Sequence, residues 1–233
     1  MEDKHERTQK AVIQKHFSEI DNYDTYAEHV VPKNDELHQI VISQVPLEAK
    51  KIIDLGSGTG HGLLLTHQRV PTAEIIGIDF SAKQNRICKT KLEKNNDTYY
   101  NILITEADFN EIPFERETDA VISVVAIHNS THEQKKILFK KIYTSLKKGG
   151  VFINGDFTAS NNPTIQKEYD AFYRNYLIDH LSGLELDAWI RHAFGEDKPA
   201  PLDEQKIWME EAGFKEFRVL WKYENLAVYL VRK

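Results

Sequence analysis

Residues 52–62 are "IIDLGSGTGHG", an apolar run that ends in an acid and is followed by four glycines at every second position. The chain has only 11 glycines in 233 residues, so this stretch concentrates a scarce residue type. Glycine adopts positive φ without strain and lets other groups approach the backbone closely, although it costs conformational entropy. The stretch therefore predicts a buried strand that leads into a ligand-binding loop.

Apolar runs that alternate with helical patterns extend in both directions along the chain, as in the βαβ units of a parallel sheet. Five such runs predict strands at 50–55, 73–80, 100–107, 119–125 and 150–157. Two further runs, 215–223 and 226–233, are separated by a hairpin-length turn. The sequence predicts an α/β fold with a doubly wound, seven-stranded, mostly parallel sheet, an antiparallel last strand and a helical lid.

The length of 233 residues fits one α/β domain. We expect four segments in it: an N-terminal helical cap (1–48), a cofactor-binding core (49–157), a helical lid insertion (158–202), and a terminal helix with a hairpin (203–233).

Helix starts are indicated by two capping boxes, Ser81 with Gln84 and Thr131 with Gln134. In the helix predicted over 131–148, the lysines lie off the apolar face and are expected to be solvated. These lysines are Lys135, Lys136, Lys140, Lys141 and Lys147.

Composition excludes several classes of partner. The net charge is −6, from 30 Lys and Arg against 36 Asp and Glu, which offers no footprint for nucleic acid or an anionic membrane. The only cysteine, Cys88, excludes a disulfide framework, and no residue set predicts a metal site. No run approaches the roughly 18 apolar residues of a membrane span. We expect a cytoplasmic protein that binds neither nucleic acid nor membrane.

The glycine spacing is G-x-G-x-G, which differs from the G-x-G-x-x-G that seats a dinucleotide pyrophosphate. Asp54, two residues before Gly56, would repel a pyrophosphate but favours an ammonium group. Asp79 ends the second strand, 19 residues after Gly60, where a carboxylate can accept hydrogen bonds from both hydroxyls of a ribose. These acids indicate a nucleoside ligand with a cationic amino-acid end.

A third acid follows the next strand. Asp108 can accept a hydrogen bond from an adenine amino group while Phe109 packs on the ring. With these residues in place, "DLGSGTG", "GIDFS" and "EADFNEIPF" resemble, in order, the motifs of class I, Rossmann-like S-adenosylmethionine-dependent methyltransferases. The resemblance covers about 50–157 and is strongest to small-molecule enzymes with a helical cap.

This resemblance implies S-adenosyl-L-methionine as the cofactor and a small-molecule acceptor as the partner. It leaves monomer and homodimer open. The cofactor contacts that it implies are Tyr23, Asp54, Gly56, Ser57, Gly58, Gly60, Asp79, Phe80, Asp108, Phe109 and Val125.

Two residues are candidates for catalysis. His128 follows the fourth strand, and an imidazole with a pKa of about 6.5 can accept a proton near neutral pH. The alternative role for His128 is to shape the loop. Tyr26 lies in the N-terminal helical region, where its hydroxyl can reach the cofactor or the acceptor, and ordinary packing is its alternative.

The predicted reaction is the transfer of a methyl group from S-adenosylmethionine to a nucleophilic atom of a small molecule. Oxygen, nitrogen, sulfur and carbon are all open as that atom. Two alternatives remain open as well. One is an NAD(P)-dependent oxidoreductase, and the other is a protein that binds S-adenosylmethionine without transferring methyl or an enzyme that modifies the cofactor itself.

Overall fold

The computed structural model describes residues 23–94 and 99–233, with side chains from residue 26 onward in the first of these ranges. The first 22 residues of the predicted N-terminal cap lie outside the described residues. Its described part forms two helices, α1 (Tyr23–Val30) and α2 (Asn34–Ser43).

Strands and helices then alternate as the sequence predicts. The first half contains β1 (Lys51–Leu55), α3 (His61–Arg69), β2 (Glu74–Asp79), α4 (Ala82–Glu93), β3 (Ile102–Glu106) and β4 (Thr118–Val124). A 3₁₀ turn (Ile127–Asn129) leads into α5 (His132–Ser145) and β5 (Leu146–Ala159). The rest contains α6 (Pro163–His180), α7 (Gly183–Arg191), a π-helical turn (His192–Glu196), β6 (Ala200–Pro201), α8 (Leu202–Ala212), β7 (Glu216–Tyr223) and β8 (Leu226–Arg232).

The strands form one sheet in the order β3-β2-β1-β4-β5-β8-β7. Strands β1 to β5 pair in parallel, and β8 runs antiparallel to both β5 and β7. The predicted doubly wound sheet with an antiparallel last strand is confirmed. The two-residue strand β6, which pairs with β5, was not predicted. The order reverses between β1 and β4, and ligands bind beyond the carboxyl ends of strands at such a switch point.

The sheet separates two apolar layers because successive side chains of a strand point to opposite faces. In β1, Ile52 packs in the layer that includes α2, α3, α6 and α7. Ile53 and Leu55 pack in the layer that includes α5 and α8. Asp54 therefore points to the side of α2 and α3, at the carboxyl end of its strand.

The start of β5 and the lysines of α5 differ from the predictions. Strand β5 begins at Leu146, not at residue 150, because Leu146 pairs with Thr118 before a register shift. The expectation of solvated lysines is wrong for Lys135, which is 1% exposed. Its ammonium donates to the backbone carbonyls of Ser130 and Lys198, the latter at 2.5 Å. A helical pattern cannot show this, because Lys198 lies on the distant insertion.

Residues 23–94 and 99–233 contain no helix with the length and apolarity of a membrane span.

Candidate functional site

A cavity of about 740 Å³ opens beyond the carboxyl ends of the parallel strands. Its walls come from α1 and α2, the glycine-rich loop after β1, the ends of β2 and β4, the loop after β3 and the start of α5. Its volume lies within the range of about 300–1,000 Å³ that is typical of small-molecule sites.

The glycine-rich loop is shaped by conformation and by packing. Gly56, Gly58 and Gly60 have φ of 75°, 52° and 89°, in the region that favours glycine. A Cβ on Gly56 would lie 2.3 Å from the Cβ of Ala126, and a Cβ on Gly60 would lie 2.5 Å from the Sγ of Cys88. At Gly58 the nearest such atom is a backbone oxygen 4.0 Å away. Gly56 and Gly60 therefore fit the loop against its neighbours, whereas Gly58 leaves space at the cavity.

Asp79 connects the loop to the end of β2. One carboxylate oxygen accepts the N–H of Gly58 at 3.0 Å, and the other accepts the N–H of Ser81 at 2.8 Å. Burial raises the pKa of Asp79, these two hydrogen bonds lower it, and the charge of Asp108 raises it. The carboxylate is thus fixed at the cavity wall, where the sequence predicts a contact to ribose.

Most of the predicted cofactor contacts come together around this cavity. Those that line it are Gly56, Ser57, Gly58, Asp79, Phe80, Asp108, Phe109 and Val125. Gly60 and Asp54 lie behind the wall, and the side chain of Tyr23 is outside the described residues. The contacts to the cofactor themselves stay predictions.

Three polar side chains of the wall have buried atoms that no protein group satisfies. They are the Oγ of Ser57, the Oδ1 of Asn129 and both amide atoms of Gln84. Buried polar atoms are nearly always hydrogen-bonded, so such a wall fits a polar occupant. The sequence suggested only a capping role for Gln84. Its backbone N–H does donate to Ser81, but its amide group does not complete the capping box.

The charge of the wall also fits a cationic occupant. Among the described residues that line the cavity, two are histidines, His38 and His61, and none is lysine or arginine. The acids are Glu28, Asp35, Asp79, Asp108 and Glu111. A sulfonium and an ammonium group are attracted to such a wall, whereas a pyrophosphate is repelled.

His128 occupies a different position from the one its sequence context suggests. Its ring is 5% exposed and is not part of the cavity wall. Its Nδ1 lies 2.6 Å from Asp156, which also accepts the backbone N–H of His128 at 2.9 Å. Its Nε2 lies 3.2 Å from the Nδ2 of Asn129 and 3.8 Å from Asp197. This placement favours the loop-shaping alternative, and the catalytic role stays a prediction.

The tyrosines of the helical segments support the wall from behind. Tyr26 packs against Trp189 with ring centroids 5.6 Å apart and is not among the described residues that line the cavity. The hydroxyls of Tyr173 and Tyr176 donate to the carbonyls of Val30 and Glu28. In the described part of the chain, no residue of 158–202 lines the cavity. The insertion instead contacts α1, which does line the cavity, through these two hydrogen bonds.

Comparisons with known proteins show what the chain is similar to. The family described as "Methyltransferase domain" matches residues 52–150. The chain is 28% identical over 192 residues to a carboxy-S-adenosyl-L-methionine synthase of Helicobacter pylori (strain P12), covering 81% of this chain and 76% of that protein. It is also 28% identical over 212 residues to the synthase of that name from Staphylococcus epidermidis, covering 87% of this chain and 89% of that protein.

Solved structures give the same fold. The S-adenosylmethionine-dependent methyltransferase SibL matches with a TM-score of 0.64 at 14% identity, over 86% of this chain and 55% of that one. Human N-acetylserotonin methyltransferase in complex with SAM matches with a TM-score of 0.59 at 18% identity, over 84% of this chain and 51% of that one. The chain thus spans about half the length of these two proteins.

These findings correct the predicted reaction. The prediction of methyl transfer to a small-molecule acceptor is wrong, because relatives matched along most of the chain are named for making carboxy-S-adenosyl-L-methionine. The motifs on which the prediction rested concern the expected binding of the cofactor and do not specify the reaction that follows. The alternative of an enzyme that modifies the cofactor agrees better with the relatives. The predicted resemblance to class I, Rossmann-like S-adenosyl-L-methionine-dependent methyltransferases is confirmed by the family model over residues 52–150 and by the fold, and it agrees with S-adenosyl-L-methionine as the predicted cofactor.

Proposed function

We propose that this chain binds S-adenosylmethionine in the cavity and modifies that molecule itself, replacing one of its hydrogens with a carboxyl group. The observation that carries the proposal is the extent of the similarity. It covers 81–87% of this chain and 76–89% of the two synthases. The cofactor motifs occupy only residues 50–157, so alignments of 192 and 212 residues must extend well beyond them.

The proposed contacts follow from the wall. Each carboxylate oxygen of Asp79 accepts one backbone N–H, from Gly58 or from Ser81, and can accept a further hydrogen bond. These remaining positions accept the hydrogen bonds of the ribose hydroxyls. Asp108 accepts from the adenine amino group, and Phe80 and Phe109 pack against the ring. The glycine-rich loop faces the amino-acid end. Each of these residues lines the cavity.

The proposed reaction balances with a carboxylic acid as co-substrate. A carbon–carbon bond forms between the carboxyl carbon and S-adenosylmethionine, and the bond that joined this carbon to the co-substrate breaks. The electron pair of the broken bond stays with the remainder of the co-substrate, which takes up the proton lost from the methyl group of S-adenosylmethionine. Bound S-adenosylmethionine supplies a positively charged sulfur, which acidifies the neighbouring C–H bonds.

The chain's own part is to bind, to orient and to exclude water. The described wall offers a carboxylate co-substrate only uncharged donors, such as Asn129 and Ser130, and two imidazoles. The acids of the wall repel a carboxylate. S-adenosylmethionine, which neutralises this wall, therefore binds before the co-substrate. The helices α1 and α2, supported by the insertion 158–202, form the proposed cover of the core 49–157, and the terminal segment 203–233 completes the sheet.

The proposed setting is the cytoplasm, because a chain whose only cysteine is Cys88 fits a reducing compartment. The proposed co-substrate is a small molecule, since the cavity has a volume of about 740 Å³ and its wall is acidic.

Tracing the methyl carbon tests the proposal. The protein is incubated with S-adenosylmethionine that carries ¹³C in its methyl group and with the small-molecule fraction of a Staphylococcus epidermidis lysate. Mass spectrometry of the nucleosides is expected to show a product with one added carboxyl group that retains the label. Unlabelled S-adenosylhomocysteine, with the label on another molecule, would contradict the proposal, and so would an unchanged nucleoside pool. The Asp79→Ala variant serves as the control without cofactor binding.

A further inference from the structure

Lys141, on α5, is expected from the helical pattern to be solvated, but the structure places its side chain partly inside the protein. Its ammonium group donates to three backbone carbonyls, those of Phe109 at 2.5 Å, Asn110 at 3.0 Å and Ile112 at 2.7 Å. An ammonium group has three N–H donors, so these carbonyls match its full capacity. Its Nζ also lies 4.6 Å from the ring centroid of Phe114.

The three carbonyls belong to one helical turn in the loop after β3. The carbonyl of Asp108 accepts the N–H of Glu111 at 2.9 Å and that of Ile112 at 3.3 Å, which closes the turn. The same turn holds the side chain of Asp108, since its Oδ1 accepts the N–H of Asn110 at 2.8 Å. The position of the Asp108 carboxylate thus depends on the conformation of this stretch of backbone.

The turn cannot continue into a longer helix, so its carbonyls need partners from outside it. Pro113 has no N–H and cannot donate to the carbonyl of Phe109, which it would face in a continuing helix. Lysine side chains can hydrogen-bond the last carbonyls of a helix in this way. Lys141 supplies this cap from α5, 29–32 residues further along the chain.

The turn forms part of the cavity wall, and its two predicted adenine contacts are held differently. Asp108, Phe109, Asn110 and Glu111 line the cavity, whereas Lys141 is not part of the wall. The ring of Phe109 is 6% exposed and packs in the apolar layer that includes α5 and α8. Packing therefore fixes this ring. The carboxylate of Asp108 depends instead on the turn, and its charge opposes the lowering of the Lys141 pKa by burial.

We propose that Lys141 is a positioning residue for the adenine end of S-adenosylmethionine. Its ammonium group holds the turn 108–112 in the conformation that directs the carboxylate of Asp108 to the adenine amino group. Lys141 itself does not touch the ligand, and it lies outside the three motifs. The inference rests on the proposed function only for the contact between Asp108 and adenine.

Calorimetry with two ligands tests this role. S-adenosylhomocysteine is compared with its analogue in which hydrogen replaces the 6-amino group of adenine. Lys141→Met removes the ammonium group and keeps an unbranched apolar stem. Its affinity for S-adenosylhomocysteine is expected to fall about tenfold, because the carboxylate of Asp108 is no longer fixed. Its affinity for the analogue, which has no amino group for Asp108 to accept from, should change by less than about threefold.

Lys140→Met is the matched control. The neighbouring Lys140 also donates to a backbone carbonyl, that of Ala212 at 3.3 Å, but this carbonyl lies outside the cavity wall. Both affinities should therefore change by less than about twofold. The native protein should bind the analogue more weakly than S-adenosylhomocysteine, and equal binding of the two ligands would remove the Asp108 contact and the inference with it.

Lys141→Gln provides a second variant in case Lys141→Met does not fold. Its amide has two N–H donors on a shorter side chain, so we expect about threefold weaker binding of S-adenosylhomocysteine and an unchanged affinity for the analogue. A lysine with a purely structural role would not alter the preference for the 6-amino group. Equal losses for both ligands, or native affinity for S-adenosylhomocysteine in either variant, would overturn the inference. These readouts measure binding and not turnover, so a failure of the proposed reaction would leave them intact.

Discussion

Replacing His128 with asparagine separates its two proposed roles. The ring and the carboxylate of Asp156 are both about 5% exposed, and their closest atoms lie 2.6 Å apart. Removing one partner of such a buried pair costs about 3–5 kcal/mol, because the other is left with an uncompensated charge. Asp156 keeps hydrogen bonds from the backbone N–H groups of His128 and Phe157, both at 2.9 Å. We therefore expect a loss at the lower end, about 3 kcal/mol.

For a chain of this length, that loss corresponds to a Tm lower by roughly 6–12 °C. The ring is not part of the cavity wall, so the Kd for S-adenosylhomocysteine should change by less than about threefold. Thermal unfolding and calorimetry on the same preparations measure both quantities. The exposed His132 provides a control, since His132→Asn should shift the Tm by less than about 2 °C.

The pH dependence gives a second readout of the same pair. Burial lowers the pKa of His128, but the charges of Asp156 and Asp197 and the hydrogen bond to Asp156 together raise it above its ordinary value. The folded state thus binds this proton more tightly than the unfolded chain does. The resulting stabilisation is fully present below about pH 6.5 and is lost as the pH rises through the folded pKa. The Tm difference between the native protein and His128→Asn should narrow accordingly.

A catalytic His128 would give the opposite pattern. The variant would keep the Tm of the native protein at every pH and would lose turnover. That result would refute the structural role derived from the buried pair.

Three further variants test the cavity wall. Asp79→Ala removes a charged acceptor of two ribose hydrogen bonds and should raise the Kd for S-adenosylhomocysteine about 100-fold or more by calorimetry; an unchanged Kd would remove this assignment. Gln84→Leu removes an amide group that no protein group hydrogen-bonds, so the Tm without ligand should not fall. The Kd for S-adenosylhomocysteine should rise about 30-fold, because the ligand loses a hydrogen-bonding partner. A lower Tm with native affinity would contradict this expectation. Gly56→Ala forces a Cβ against Ala126 at a φ of 75° and should lower the Tm by about 4 °C or more, whereas a native Tm would refute the packing argument.

The sequence predicts those parts of the fold that depend on residues close together in the chain. The strands are recognisable as apolar runs, and the loop after β1 is recognisable by its glycines, because its backbone requires positive φ. The positions of Asp79 and Phe109 at the cavity are predictable, because the carboxyl ends of parallel strands lie at one edge of the sheet. The Thr131 capping box is also formed as predicted, with both of its hydrogen bonds present.

The parts that sequence misses depend on contacts between distant segments. The ring of His128 turns from the cavity because Asp156 lies on the neighbouring strand. Lys135 is buried because a carbonyl of the insertion, that of Lys198, accepts its hydrogen bond. His38 reaches the wall from α2, and no periodic pattern shows which helix covers the glycine-rich loop.

The reaction was missed for a chemical reason. The contacts that the motifs predict are to the nucleoside and to the amino-acid end, and these parts of the cofactor are the same whether the methyl group is transferred or the molecule is modified. The groups that decide between the two outcomes lie where the co-substrate meets the cofactor, and no motif marks them.

The stoichiometry of S-adenosylhomocysteine formation distinguishes modification of S-adenosylmethionine from transfer of its methyl group. Consumption of S-adenosylmethionine and formation of S-adenosylhomocysteine are followed together in the presence of the bacterial small-molecule fraction. We expect S-adenosylmethionine to disappear without any matching S-adenosylhomocysteine. One S-adenosylhomocysteine formed for each S-adenosylmethionine consumed would contradict the proposed modification of the cofactor.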